Sequence, residues 1–175
     1  MRCLILMRHA KAVPADGTIR DRDRPLAPRG RKNAPVMAAY LVHHGVAPDR
    51  AIVSTSKRTR ETWEFAATAF RKPPAAVFED RLYEATPQTI LDVIKHAGGA
   101  AQKLLLIGHN PGLHELAMLL IAAGDVDARE RLHEALPTSG LVIIEFPIED
   151  WEKLHPRSGR LEHFVTPKSL KEPTD

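Results

Sequence analysis

Arg8 and His9 stand directly after the apolar run Cys3-Leu4-Ile5-Leu6-Met7. A permanent cation and a titratable nucleophile are thus placed together where a strand should end. His109 repeats the arrangement, following Leu104-Leu105-Leu106-Ile107-Gly108. Arg58 follows Ala51-Ile52-Val53 within Ser54-Thr55-Ser56-Lys57-Arg58-Thr59-Arg60-Glu61-Thr62, a segment that should open a helix. Guanidinium forks match the nonbridging oxygens of a phosphoryl group, and a neutral imidazole can attack phosphorus and form a covalent intermediate. An Arg-His pair alone is more often a polar stop after a strand; two arginines and two histidines in matching positions point to phosphoryl chemistry.

The elements that must position these four follow from periodicity. Apolar runs near 3–7, 51–53, 76–78, 104–107 and 141–146 read as short, buried, mostly parallel strands. Ala34, Met37, Ala38 and Leu41 recur at helical spacing and predict a helix from Pro28 to about His44, stopped by Gly45. Thr86-Pro87 predicts an N-cap with proline at the first helical position, leading into Ile90, Leu91 and Ile94; Pro111 starts a further helix through Leu120. Alternating strands and helices predict a three-layer α/β/α domain with a mostly parallel central sheet. Open sheets of this kind gather anions at the carboxyl ends of their strands, where helix N-termini also point.

With 175 residues, 43% of them hydrophobic, the chain can form one domain, assigned to 1–166 with a short tail at 167–175. No apolar run approaches the ~20 residues of a membrane helix. The N-terminus lacks a signal-peptide apolar region, and the single cysteine, Cys3, cannot form an internal disulfide, so the expected location is the cytoplasm. The net charge of +3 conceals a gradient: residues 8–32 hold eight Lys/Arg against Asp16, Asp21 and Asp23, whereas residues 125–152 hold eight acids against Arg129 and Arg131. Positive potential is therefore expected near His9. The arginines are not interleaved with aromatics, which argues against a nucleic-acid binder. His109 and His114 do not form a metal motif, because proline and glycine intervene and no carboxylate-histidine zinc pattern surrounds them.

Several segments together resemble the histidine phosphatase superfamily, which includes the phosphoglycerate mutases, and within it the small SixA-like phosphohistidine phosphatases. They are Arg8-His9, Arg24-Pro25-Leu26-Ala27-Pro28-Arg29-Gly30, Ser54 to Thr62, Gly108-His109-Asn110-Pro111-Gly112 and Pro137-Thr138-Ser139-Gly140, in the family's order over residues 2 to about 166. Ala10 replaces a common glycine and Thr55 a common proline. The resemblance implies a phosphoglycerate mutase-like fold, His9 as the phosphorylated nucleophile, Arg8, Arg58 and His109 completing the phosphate pocket, and no cofactor or metal. Glu84 occupies the place of the proton-donating acid in mutase-like relatives, without their surrounding motif; a structural role near a helix N-terminus is its alternative. Only 24 residues separate Glu84 from His109, which leaves no room for a large lid insertion.

The expected activity is therefore metal-independent phosphatase action on a phosphohistidine carried by a protein. The alternatives are a small phosphorylated metabolite as substrate, or a noncatalytic phosphate-binding module. No nucleic-acid or membrane partner is expected.

Overall fold

The computed structural model of the protein describes residues 1–171 of the 175. A single seven-stranded sheet runs through it. Its strands are β1 (Arg2–Arg8), β2 (Arg50–Ser54), β3 (Ala76–Glu79), β4 (Lys103–Gly108), β5 (Ile121–Gly124), β6 (Leu141–Phe146) and β7 (Gly159–Val165), in the spatial order β3-β2-β4-β1-β6-β7-β5. β6 is antiparallel to both β1 and β7, and the remaining neighbours are parallel.

Alternation along β1 explains the layers. Leu4 and Leu6 point into one apolar cluster, with Ile90 and Ile94 of α3 (Pro87–Ala97), Leu113 and Leu116 of α4 (Gly112–Leu120) and Leu132 of α5 (Val126–Glu134). Cys3, Ile5 and Met7 point into the other, with Met37 and Leu41 of α1 (Pro28–His43) and Trp63 and Ala66 of α2 (Lys57–Ala67). Both faces of the sheet are covered, so the strand reads as a continuous apolar run rather than an alternating one. Each fully buried leucine contributes about 2 kcal/mol of transfer free energy.

Three elements lie outside the sequence reading: β5, α5 and β7. β5 continues directly from α4, so that Leu116 to Ala123, one apolar run in sequence, is divided between a helix and a strand. The predicted tail is partly ordered as well. Pro167–Lys171 forms a short helix, α6, that contacts α1; the rest of the tail, 172–175, lies outside the described residues. No described helix is long and apolar enough to cross a membrane.

Two glycines fix the loops beside the histidines. A Cβ on Gly30 of α1 would lie 2.2 Å from the Lys11 carbonyl oxygen, and one on Gly112 of α4 would lie 2.1 Å from that of Ala85. Only glycine permits these approaches, which hold the segment after His9 against α1 and the segment after Glu84 against α4.

Candidate active site

Strand register brings the two histidines together. β1 and β4 are parallel neighbours with Arg8 opposite Gly108, so the next residue on each strand is a histidine. The His9 backbone N–H donates to the Gly108 carbonyl at 3.1 Å, and the two imidazole rings lie 5.5 Å apart. The turn leading into β6 braces the other side: the Ser139 N–H donates to the carbonyls of both Arg8 and His9, each at 3.1 Å.

Arg58 arrives from β2 through the first turn of α2. Ser56 caps that helix by accepting from the Thr59 N–H, and Thr62, one turn on from Arg58, accepts from the Ala10 N–H at 2.9 Å. The helix is thereby tied to the loop carrying His9. The Arg58 guanidinium is buried and donates to the Asp21 backbone carbonyl at 2.8 Å, to Asp21 Oδ2 at 3.1 Å and to His109 Nδ1 at 3.4 Å. Arg8 donates through Nη1 to the Leu136 carbonyl at 3.1 Å. The Nε atoms of both arginines are buried without an acceptor among the described residues, a donor set suited to an anion. Arg8, His9, Arg58 and His109 are thus all brought to one place.

Ring protonation follows from the hydrogen bonds. His9 Nδ1 lies 2.8 Å from the Ala10 carbonyl, which can only accept, so Nδ1 carries the proton and Nε2 presents its lone pair. Burial, reinforced by Arg58, Arg8 and Arg24 and opposed by the Ala10 bond, takes the His9 pKa from 6.5 down to about 4. Burial, then His9 and Arg58, takes His109 down to about 3. Both rings are neutral at neutral pH.

This has a measurable cost in acid. The unfolded chain protonates both histidines near pH 6.5, whereas the folded chain resists until about 4 at His9 and about 3 at His109. Between those limits the unfolded state binds more protons, so stability is fully present above 6.5 and is lost as pH falls toward 4. Thermal unfolding followed from pH 7.5 to 4 should show this decline, with a shallower slope for His9→Ala. An equal slope in both proteins would refute the assignment of His9.

Sequence reasoning did not single out Asp21, Tyr83 or Ser54. Asp21 accepts from Arg58, from Arg24 at 3.1 Å and from the Tyr83 hydroxyl. The Tyr83 bond, then Arg58 and Arg24, holds its carboxyl at about 2. Ser54, last residue of β2, meets His109 Nε2 at 2.8 Å. Its place at the end of an apolar run, like that of Arg8-His9, was the signal available for it. Asp21 and Tyr83 lie on connecting segments whose paths periodicity does not describe.

Glu84 is exposed, with a left-handed φ of 54°, at the edge of a cleft of about 290 Å³ that it shares with Thr86, His109, Asn110 and Glu115. Of the four predicted phosphate-pocket residues, His109 is the one that lines this cleft with it. His114 faces elsewhere, its Nε2 2.5 Å from the Leu132 carbonyl. The expected concentration of positive potential is reduced by pairing: Arg20 with Asp23, Arg22 with Asp80, and Arg24 and Arg58 both with Asp21. Among the described residues no three His, Cys, Asp or Glu side chains are grouped to hold a metal ion.

Residues 4–89 match the family described as Histidine phosphatase superfamily (branch 1). The uncharacterized protein Rv1276c of Mycobacterium tuberculosis is 37% identical over 164 residues, covering 93% of this chain and 100% of its own length. SixA from Agrobacterium tumefaciens, assigned as a phosphohistidine phosphatase, is 30% identical in sequence and superimposes with a TM-score of 0.75 over 95% of this chain and 98% of its own. SixA from Nakamurella multipartitia, with the same assignment, is 26% identical with a TM-score of 0.82, over 95% and 96%. Near full-length similarity, joined to a sheet that sets Arg8-His9 beside His109, means that the chain belongs to the histidine phosphatase superfamily.

Proposed function

We propose that the protein is a phosphatase that works through a covalent phosphohistidine on His9 and that its substrate is a phosphohistidine displayed on another protein. The observation that carries this reading is the His9 ring: its Nδ1–H is fixed on the Ala10 carbonyl and its pKa is held near 4, leaving a neutral Nε2 nucleophile beside two arginines.

In the first step His9 Nε2 attacks phosphorus and the bond from phosphorus to the substrate imidazole breaks; that imidazole, already protonated from solvent on its other ring nitrogen, leaves as the neutral ring. In the second, water attacks phosphorus, the bond to Nε2 breaks, and inorganic phosphate departs. Arg8 and Arg58 hold the nonbridging oxygens, and His109 donates to the phosphoryl group as charge develops. The two guanidinium groups and the His109 N–H supply the charge compensation, so a chelator should leave the rate unchanged, and activity lost to chelation and restored by one divalent metal would overturn that assignment.

Two features support a protein-borne substrate. Only α3 and β4 lie between Glu84 and His109, so no insertion there covers the site, and a histidine on a folded surface can reach it. A departing imidazole, with a reference pKa of about 6.5, also needs less help from an acid than an alkoxide. The likeness to proteins named as phosphohistidine phosphatases agrees with this. We place the activity in the cytoplasm, in keeping with Cys3, a buried free thiol whose pKa burial raises to about 11.

The test compares kcat/KM on a protein-borne phosphohistidine with that on a panel of phosphate esters. The protein should be preferred; a tenfold or greater preference for a small phosphorylated metabolite, on the order of 1.4 kcal/mol in transition-state binding, overturns the substrate reading. Glu84→Gln belongs in the same assay. It should slow ester hydrolysis and leave phosphohistidine turnover unchanged, as expected of an acid needed only by poor leaving groups; equal behaviour on both substrates would leave Glu84 a structural residue.

A further inference from the structure

Ser54 is fully buried, and the hydrogen-bond partner of its hydroxyl is His109 Nε2, at 2.8 Å. On the other side of the same ring, Arg58 Nη2 lies 3.4 Å from Nδ1. An imidazole held between a hydroxyl, which can donate or accept, and a guanidinium, which can only donate, has two neutral forms, and neither satisfies every group.

With the proton on Nε2, that N–H donates to Ser54 Oγ and Arg58 donates to Nδ1, but the buried Ser54 hydroxyl hydrogen has no acceptor among the described residues. With the proton on Nδ1, Ser54 donates to Nε2, but the Nδ1–H faces an N–H of Arg58. The first form leaves one buried hydrogen without a partner and the second sets two donors against each other, so both are penalised and the Nε2–H form is the milder conflict. Because both forms carry a penalty, the preference for Nε2–H is small enough for a ligand at the ring to reverse it.

A phosphoryl oxygen resolves the conflict. If it accepts from Arg58 and from Nδ1–H together, the Ser54 hydroxyl donates to Nε2 and every group is paired. Resting on the phosphatase reading above, we propose that Ser54 is a positioning residue that keeps His109 poised between its two neutral tautomers, so that an arriving phosphoryl group selects the Nδ1–H form. In the exchange the ring gains one proton at Nδ1 and releases one from Nε2, both traded with water, and its charge does not change. His109 can then donate to the phosphoryl group without becoming an imidazolium, which its burial beside His9 and Arg58 opposes. Arg58 moves from a ring nitrogen to a phosphoryl oxygen, exchanging a long bond for a charge-assisted one.

The experiment is nitrogen-detected NMR of the histidine rings in the full chain, free and with saturating inorganic phosphate, for the native protein, Ser54→Ala and Ser54→Cys. In the native protein the His109 proton should reside mainly on Nε2 when free and move to Nδ1 with phosphate. Ser54→Ala should weaken phosphate affinity about tenfold, the size of one buried hydrogen bond left unmade, and Ser54→Cys, whose thiol donates weakly, should fall between. If phosphate moves the His9 and Arg58 signals but leaves the same nitrogen of His109 protonated, the proposal fails while the phosphatase reading stands. Native phosphate affinity in folded Ser54→Ala sinks it equally. If phosphate moves none of these signals, the phosphatase reading falls and the proposal with it. The native-protein spectra decide the point even if a variant does not fold.

Discussion

Replacing His9 by alanine should abolish turnover, with a loss on the order of 10⁴-fold or more, the range in which removal of a covalent nucleophile falls. The expectation rests on geometry that no neighbour duplicates. The second imidazole at the site, His109, has Nε2 committed to Ser54 and Nδ1 facing Arg58, so neither nitrogen offers a free lone pair for in-line attack. The fold should survive. His9 is held in place mainly through its backbone, by the bonds to Gly108 and Ser139, and alanine retains both. Circular dichroism and thermal unfolding would establish that the variant is folded, and steady-state assay on the preferred substrate would give the loss. A folded His9→Ala protein within tenfold of the native rate would remove His9 from the mechanism, since uncatalysed or electrostatic background alone cannot supply that rate.

Arg58→Ala should cost on the order of 10²- to 10³-fold in kcat/KM, as expected for loss of a preorganised charge-compensating donor in a water-poor site. Arg58 is buried and already fixed by Asp21, so its alignment requires no reorganisation during the reaction. Arg58→Lys should recover little. An ammonium cannot span the Asp21 carbonyl, the Asp21 carboxylate and the His109 ring from one planar fork. A second signature separates a functional from a merely structural role: without Arg58 the Asp21 carboxyl loses one of the partners that hold it at about 2, and its pKa should rise toward the ordinary value. A change of less than threefold in kcat/KM, with the Asp21 shift present, would make Arg58 a clamp for the 20–24 segment and not part of the reaction.

What could be read from the chain in advance followed physical scale. Strands β1, β2, β4 and β6 are continuous apolar runs, and burial on both faces leaves that mark whatever surrounds them; β3, at the sheet edge and only partly buried, was read from Ala76-Val77-Phe78 alone. β7 does not carry that mark. Its burial alternates along Gly159-Arg160-Leu161-Glu162-His163, with charged residues on the exposed side, so it lacks the unbroken apolar run by which those strands were read. β5 was hidden for the opposite reason: it shares an unbroken apolar stretch with α4, and periodicity cannot divide such a stretch. The four central site residues were legible because each directly follows, or lies a few residues beyond, one of the readable strands. Asp21 was not, because it reaches Arg58 from a segment with no repeating pattern, and its side chain is placed by Tyr83 and Arg24, residues whose proximity exists only in three dimensions. The weak standing of Glu84 was also visible early. Its surrounding motif is absent, and it is exposed, sharing its cleft with His109 but with none of Arg8, His9 and Arg58.

The adjacency of β1 and β4 bears on how this chain acquires its activity. Cys3 pairs with Lys103 and Arg8 with Gly108, while β6 closes the other side of β1 from still farther along the chain. The N-terminal strand is therefore central in space but must wait for partners synthesised much later, and bringing such distant segments together carries a loop-closure entropy that local helix formation does not. A nascent chain ending before β4 would contain Arg8, His9 and Arg58 and still lack a site. Recovery of turnover after dilution from denaturant should consequently trail the recovery of helical signal, making enzymatic activity itself a reporter of the last long-range pairing in the sheet.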